Sequence, residues 1–248
     1  MNFRIGLIFF TLIVFYGCSE KKFEQIIPGT QSKFDFKYTS FEGKVVHSDF
    51  ILSVPLNYNP LNKYPLFVVI NGEMITPEET HKIWKPATDS LGVVLLTPVS
   101  HDKDSSGTIW HEDADIMILS GMDEAASKIN LNFDRIFVGG FYNGGTLAYE
   151  LGYKYPQVFK GVAAISSNLP DYYKTGSIEF LKRSKFYITA GEFETDIKDD
   201  ANDALKLMIK NGILTQHTIY FNVYKGFPEN KHIEIRKIVQ YFFMKDEK

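Results

Sequence analysis

The sequence has one cysteine, two tryptophans and no cluster of basic residues. A lone cysteine cannot close an internal disulfide, so the fold must be held by its core. Lys and Arg number 27 against 30 Asp and Glu, a net charge of -3. That balance, without a basic stripe, excludes a nucleic-acid surface, which needs clustered positive charge. The spacings H-x-x-x-H and H-E-x-x-H are absent. His101, Asp102, Asp104, His111, Glu112, Asp113 and Asp115 therefore read as polar loop ends, and no metal or other cofactor is expected. No internal repeat, low-complexity block or interdomain linker divides the chain. What is present, 248 residues with 44% hydrophobic content, suits one α/β domain behind a targeting segment.

The apolar run at the N-terminus is too short to span a bilayer. Arg4 supplies a positive start, and Ile5 to Tyr16 is almost wholly apolar, well short of the ~20 residues a spanning helix needs. Gly17-Cys18-Ser19 follows, then polar Glu20-Lys21-Lys22. This order fits a signal-peptide core. A small residue before a lone cysteine at its end resembles a bacterial lipoprotein lipobox. The resemblance implies a signal peptide over residues 1–17, lipidation of Cys18, and anchoring of the protein to the cell envelope by acyl chains. After Cys18 stands Ser19 and not the Asp that resembles an inner-membrane retention signal, so the outer membrane, with the protein periplasmic or surface-facing, is the expected address. Residues 18–33 read as a tether and 34–248 as a single domain.

Within that domain, Phe34 to Phe41 and Val45 to Val54 flank the turn Glu42-Gly43-Lys44 and read as a hairpin. Leu66 to Ile70 is a continuous apolar run, expected of a central parallel strand. Helices and strands then alternate. Helices are expected over Pro77–Leu91, Ala114–Ile129, Thr146–Tyr155, Asp199–Lys210 and Ile233–Phe243. Strands are expected over Val93–Thr97, Ile136–Val138, Val162–Ile165, Lys185–Thr189 and Thr218–Val223, with a polar loop over Ser100–Gly107. An antiparallel start followed by β-α units implies a mostly parallel sheet with helices on both faces. Trp84 and Trp110 are expected in the core or a pocket wall.

The most informative stretch is Asp134 to Tyr149. A buried strand, Ile136 to Val138, runs into the glycine-rich corner Gly139-Gly140-Phe141-Tyr142-Asn143-Gly144-Gly145, and a helix follows. Strand, sharp turn and helix are the setting of a nucleophile elbow, G-x-S-x-G. Gly140 and Gly144 keep the frame, and its central residue is Tyr142.

Three stretches together resemble the α/β-hydrolase superfamily: Phe50 to Gly72, Phe133 to Ser167, and Gly226 to Ile238. They are similar to secreted esterases of the polyhydroxyalkanoate-depolymerase and feruloyl-esterase kind and of the phospholipase/carboxylesterase group. The resemblance runs from Phe34 to the C-terminus. It implies an α/β-hydrolase fold and a chain order of nucleophile, acid and histidine. Tyr142 stands at the nucleophile position. His232 stands for the histidine, Glu194 for the acid, and Asp196 is the reserve; Glu192 shares their loop. The oxyanion-hole positions are Asn143 and Glu73, with Asn71-Gly72-Glu73 replacing a His-Gly pattern. Ser166-Ser167 follows a strand without an elbow and is not taken as a substitute nucleophile.

A phenol is a poor stand-in for serine. Its oxygen lies a ring's length further out, and its pKa of ~10 leaves it protonated at neutral pH. A carboxylate at Glu73, pointing inward, would repel a developing oxyanion. The expected function is therefore that of a non-hydrolytic or catalytically impaired relative, with the elbow as the floor of a binding pocket. Its partner would be a small molecule, an acyl or ester-type ligand, or an envelope protein. The alternative is an active ester hydrolase with a remodelled site that uses His232, or Tyr142 as a tyrosinate or acid/base.

Overall fold

The structure is a computed structural model that describes residues 26–105, 107–175 and 177–243. The expected signal segment, Cys18 and the first part of the expected tether lie outside the described residues. Among the described residues, no helix is long and apolar enough to cross a membrane.

Among the described residues, ten strands and six α-helices follow one another: β1 Gln31–Thr39, β2 Val45–Ser53, β3 Tyr64–Ile70, α1 Pro77–Leu91, β4 Val94–Val99, β5 Lys103–Asp104, β6 Gly107–Thr108, α2 Ala114–Lys128, β7 Leu131–Phe141, α3 Asn143–Lys154, β8 Gly161–Ile165, α4 Asp171–Lys174, β9 Lys185–Gly191, α5 Thr195–Lys210, β10 Leu214–Tyr220 and α6 Lys231–Phe243. Eight strands form one sheet in the order β1-β2-β4-β3-β7-β8-β9-β10. The pairs β1–β2 and β2–β4 are antiparallel, and every pair from β4 to β10 is parallel. The short β5–β6 hairpin stands apart.

The sheet's two faces follow from residue alternation. Along β3, Leu66, Val68 and Ile70 enter one apolar cluster, and Phe67 and Val69 enter the other. Every residue of β3 is buried, which is why its sequence is continuously apolar and not alternating. The first cluster is closed by α2, α3 and α5 through residues such as Met117, Leu147 and Met208. The second is closed by α1 and α6 through Trp84, Ile238 and Phe242. Phe67 lies 5.0 Å from Trp84 and 5.8 Å from Phe242, ring centre to ring centre.

Helix α1 starts and stops where its sequence says. Thr76 accepts from the Glu79 N–H at 3.1 Å, and the Glu79 carboxylate accepts from the Thr76 N–H at 3.3 Å. This reciprocal cap satisfies two donors that the helix leaves unpaired, and Pro77 fits the first turn because it needs none. Other boundaries differ from expectation. β1 begins at Gln31, inside the expected tether, because Gln31 pairs with Ser53 across the hairpin. The polar stretch Ser100–Gly107 carries most of the β5–β6 hairpin. α5 begins at Thr195, four residues before Asp199, and β10 ends at Tyr220, where it pairs with Gly191.

Candidate functional site

The parallel strands end along one edge of the sheet, where α/β proteins gather their functional loops. Asn71 to Glu73 follow β3, Tyr142 follows β7, Ser166 follows β8, and Glu194 caps α5 just beyond β9. Residues 221–230 lead from β10 to α6 over the same edge.

Tyr142 has φ 47° and ψ -122°, a strained conformation for a bulky residue. The strain is imposed from both sides. The Tyr142 N–H donates to the Ile165 carbonyl at 3.1 Å, and its carbonyl accepts from the Gly145 and Thr146 N–H groups at 3.0 and 2.9 Å. The two glycines of the frame are there for contact. A Cβ on Gly140 would sit 2.3 Å from the Gly144 carbonyl oxygen, and one on Gly144 would sit 2.4 Å from the Asn71 carbonyl oxygen. The elbow therefore has its expected backbone geometry with an aromatic ring at its tip.

That ring is half-buried. It packs with Phe141, whose ring in turn meets Phe227 edge-on at 4.8 Å. The Lys225 ammonium lies over the ring at 5.2 Å from its centre. Burial pushes the Tyr142 phenol well above its ordinary pKa, and the charges of Glu194 and Glu73 add to the shift. The phenol therefore stays protonated at neutral pH, which weighs against a tyrosinate nucleophile.

The Asn143 N–H, expected from the sequence as an oxyanion donor, already has a partner. The Asn143 backbone N–H donates to the Glu73 carboxylate at 3.4 Å, a long hydrogen bond at the positive end of α3. An anion at a helix N-terminus is favourable, and here the protein supplies its own. The β5–β6 hairpin holds this arrangement. The Thr108 N–H donates to the Glu73 carbonyl at 3.2 Å, and the Asn143 side chain donates to the Thr108 carbonyl at 2.9 Å. Asn71 donates to the Thr108 hydroxyl at 3.0 Å, and the Trp110 indole donates to the Asn71 carbonyl at 3.0 Å.

Glu194 lies in the site, and Asp196 does not. Glu194 is buried; one of its oxygens accepts from the Gly191 N–H and from the Ser166 hydroxyl, both at 2.7 Å. Asp196 is exposed on the first turn of α5, since the helix starts before it. Glu192 accepts from the Asn222 N–H at 2.9 Å and serves the loop. Ser166 was not expected here. It is fully buried at φ 49°, and its hydroxyl also accepts from the Gly226 N–H at 3.2 Å. It is a strut between three loops; its position after an apolar strand was the only signal in the sequence.

His232 is the main departure from expectation. It is exposed on the first turn of α6, and no described residue hydrogen-bonds or ion-pairs with it. Packing of Ile235, Ile238, Val239 and Phe242 against the sheet fixes the rotation of α6. The loop before it then brings Gly226 and Phe227 to the elbow, and His232 is left at the solvent side. Thus Tyr142, Asn143, Glu73 and Glu194 come together, and His232 and Asp196 remain outside.

A cleft of about 380 Å³ opens beside the elbow, bordered by Thr108, Trp110, Asn143, Thr146, Leu147 and Glu150. Its wall begins at Asn143, so it lies along α3; Tyr142 does not form its floor. The histidines and carboxylates of the preceding loops form separate pairs: His101 with Asp49 at 3.1 Å, His111 with Asp102 at 3.4 Å, and Asp115 with Lys154 at 2.5 Å. No group of three or more His, Cys, Asp or Glu fit to hold a metal occurs among the described residues.

No protein-family model and no curated protein matches the sequence. Solved structures match its fold. A protein described as a dipeptidyl aminopeptidase IV from Bacteroides ovatus superposes with a TM-score of 0.68 at 17% identity, over 87% of this chain and 36% of that one. An S-formylglutathione hydrolase from Staphylococcus aureus gives 0.64 at 13%, over 88% and 100%. A ferulic acid esterase gives 0.63 at 14%, over 86% and 98%. The chain spans about a third of the first of these and 62% of a thermostable esterase that it also matches. At these identities the likeness is one of fold, and the α/β-hydrolase fold is the fold of this chain.

Proposed function

We propose that this chain is a non-hydrolytic, esterase-like α/β-hydrolase-fold protein that binds a small molecule, an acyl-type ligand or an envelope partner at its former active-site face. One observation carries the reading: the Glu73 carboxylate occupies the Asn143 N–H at 3.4 Å. Ester hydrolysis needs that donor free for the oxyanion, and it gains most when the donor is preorganised and unneutralised. A protonated phenol at the elbow and an exposed His232 support the same reading. The cleft beside Asn143 falls in the ~300–1,000 Å³ range of small-molecule sites and is the proposed binding surface.

The test is hydrolysis of p-nitrophenyl acetate and butyrate, together with labelling by a fluorophosphonate. Neither turnover above buffer nor a covalent adduct is expected. Turnover lost in Tyr142→Phe would overturn the proposal. We also propose that Cys18 carries acyl chains that tether the protein to the bacterial envelope, with the outer membrane as its address; the order of Arg4, the apolar run and Gly17-Cys18 supports this. Palmitate labelling of expressing cells should be lost in Cys18→Ala, and label retained in that variant would refute it.

A further inference from the structure

A second, larger cleft of about 570 Å³ lies between the β1–β2 hairpin and the start of α2. Its lining is mixed, and includes Tyr38 from β1, Trp110, and Met117 from α2. Its rim is acidic. Four carboxylates line it, Glu42, Asp102, Glu112 and Asp113, against one lysine, Lys44. Two of these are already matched. Glu42 holds Lys44 at 2.6 Å, and Asp102 faces His111 at 3.4 Å.

Asp113 is not. It occupies the position before α2, where Asp commonly bonds the helix N–H groups. Here it makes no side-chain cap bond, and the residue is only partly exposed. A helix start that leaves its own capping group unused leaves that group available to something else. The carboxylates oppose the positive end of α2 here: burial raises the Tyr38 phenol above its ordinary pKa, and the charges of Asp113 and Asp102 raise it further. The same two charges that disfavour a tyrosinate favour a cation.

We propose that this cleft binds an organic cation. Its charged head would sit against Asp113, and its hydrocarbon part against Tyr38, Trp110 and Met117. Aromatic faces attract cations through their quadrupole, and more strongly where water is excluded. The volume suits a small molecule more than a bare ion, and no metal-holding group occurs among the described residues. An anion meets four carboxylates, and a neutral apolar ligand leaves Asp113 unmatched. Trp110 and His111 border both clefts, but Asp113 borders this one alone and Asn143 only the other, so the Asp113 variant keeps the failure of this inference separable from that of the preceding reading.

The test is titration calorimetry of the folded protein with choline, agmatine and the blocked dipeptide acetyl-Lys-Gly-amide. The uncharged isostere of choline, 3,3-dimethyl-1-butanol, is the control. Trp110 fluorescence gives a second signal, since Trp84 is fully buried in the opposite cluster. At least one cation should bind saturably, with the isostere roughly tenfold weaker or worse, the equivalent of about 1.4 kcal/mol. Tighter binding of the free amines would assign the natural cation to a metabolite, and tighter binding of the peptide would assign it to a polypeptide side chain; both support the site. Asp113→Asn, which removes charge without removing a cap bond, should weaken binding by about tenfold. Asp102→Asn is the second variant. Tyr142→Ser should leave cation binding unchanged. The proposal is overturned if the isostere binds as well as choline, if Asp113→Asn and Asp102→Asn both bind as the native chain does, or if no cation saturates below about 10 mM.

Discussion

Placing serine at the elbow should not by itself produce an esterase. In Tyr142→Ser the backbone already has the required turn, so the variant supplies the missing hydroxyl. Two deficits remain, and both can be sized. The first is the base. His232 is exposed on α6 with no contact to the elbow, and a positioned general base contributes about 10²- to 10⁴-fold. The second is Glu73, whose carboxylate sits on the Asn143 N–H. An oxyanion formed there would face a unit charge about 4 Å away. The repulsion is about 1 kcal/mol at the dielectric of water and about 4 kcal/mol at an effective value of 20. At 1.36 kcal/mol per decade, that is roughly fivefold to a thousandfold in rate. Together they leave the variant at least about 500-fold below a complete site. Adding Glu73→Gln removes only the charge term, so any trace rate should rise by roughly fivefold to a thousandfold. The assay is p-nitrophenyl acetate hydrolysis, with fluorophosphonate adducts counted by mass spectrometry. Robust turnover in Tyr142→Ser alone, abolished by His232→Ala, would refute the reasoning. It would mean that His232 reaches the elbow and that Glu73 does not block it.

Two further outcomes concern the scaffold beneath the site. Ser166→Ala removes the hydroxyl shared by Glu194 and the Gly226 N–H, and should lower unfolding free energy by about 2–4 kcal/mol in a urea titration; a loss under about 0.5 kcal/mol would show that the loops hold without it. His81 is buried between Ser53 at 2.6 Å and Thr97 at 2.8 Å, and burial lowers its pKa to about 3. The folded state keeps it neutral, while the unfolded chain takes up a proton near pH ~6.5. The unfolded state thus binds more protons between these values. Stability is full above pH ~6.5 and falls by up to about 1.4 kcal/mol per pH unit on acidification towards 3. Unfolding curves at about pH 7 and pH 4 should show a smaller acid loss in His81→Gln; equal losses in both proteins would refute this assignment.

Much of this fold could be read one segment at a time. The run Leu66 to Ile70 had to be buried on both faces, and alternate residues indeed enter opposite clusters. Pro77–Leu91 was bounded by its own capping chemistry. The elbow glycines implied a tight crossing, and the two carbonyls they meet account for them. The edge strand β10 was harder. Its residues are mixed in burial, so the apolar cluster after Thr218 drew the expected boundary too far along the chain. Pairing with β9, a non-local contact, set the real one.

The sequence determined, without help, that position 142 of a nucleophile-elbow frame holds a tyrosine, and that a carboxylate at Glu73 stands near the opposite wall. Tertiary structure decided what these residues do. Glu73 and Asn143 are 70 residues apart in sequence, and only the parallel pairing of β3 with β7 brings their loops together. His232 has the expected place in chain order and lies outside the site, because the apolar stripe of α6 fixes the helix's rotation. Glu194 stayed and Asp196 left, because α5 began four residues early. Local sequence fixes propensities and faces, since those depend on neighbouring residues and their period. Which side chains meet at the strand ends depends on register and helix rotation, and packing across the whole sheet sets both.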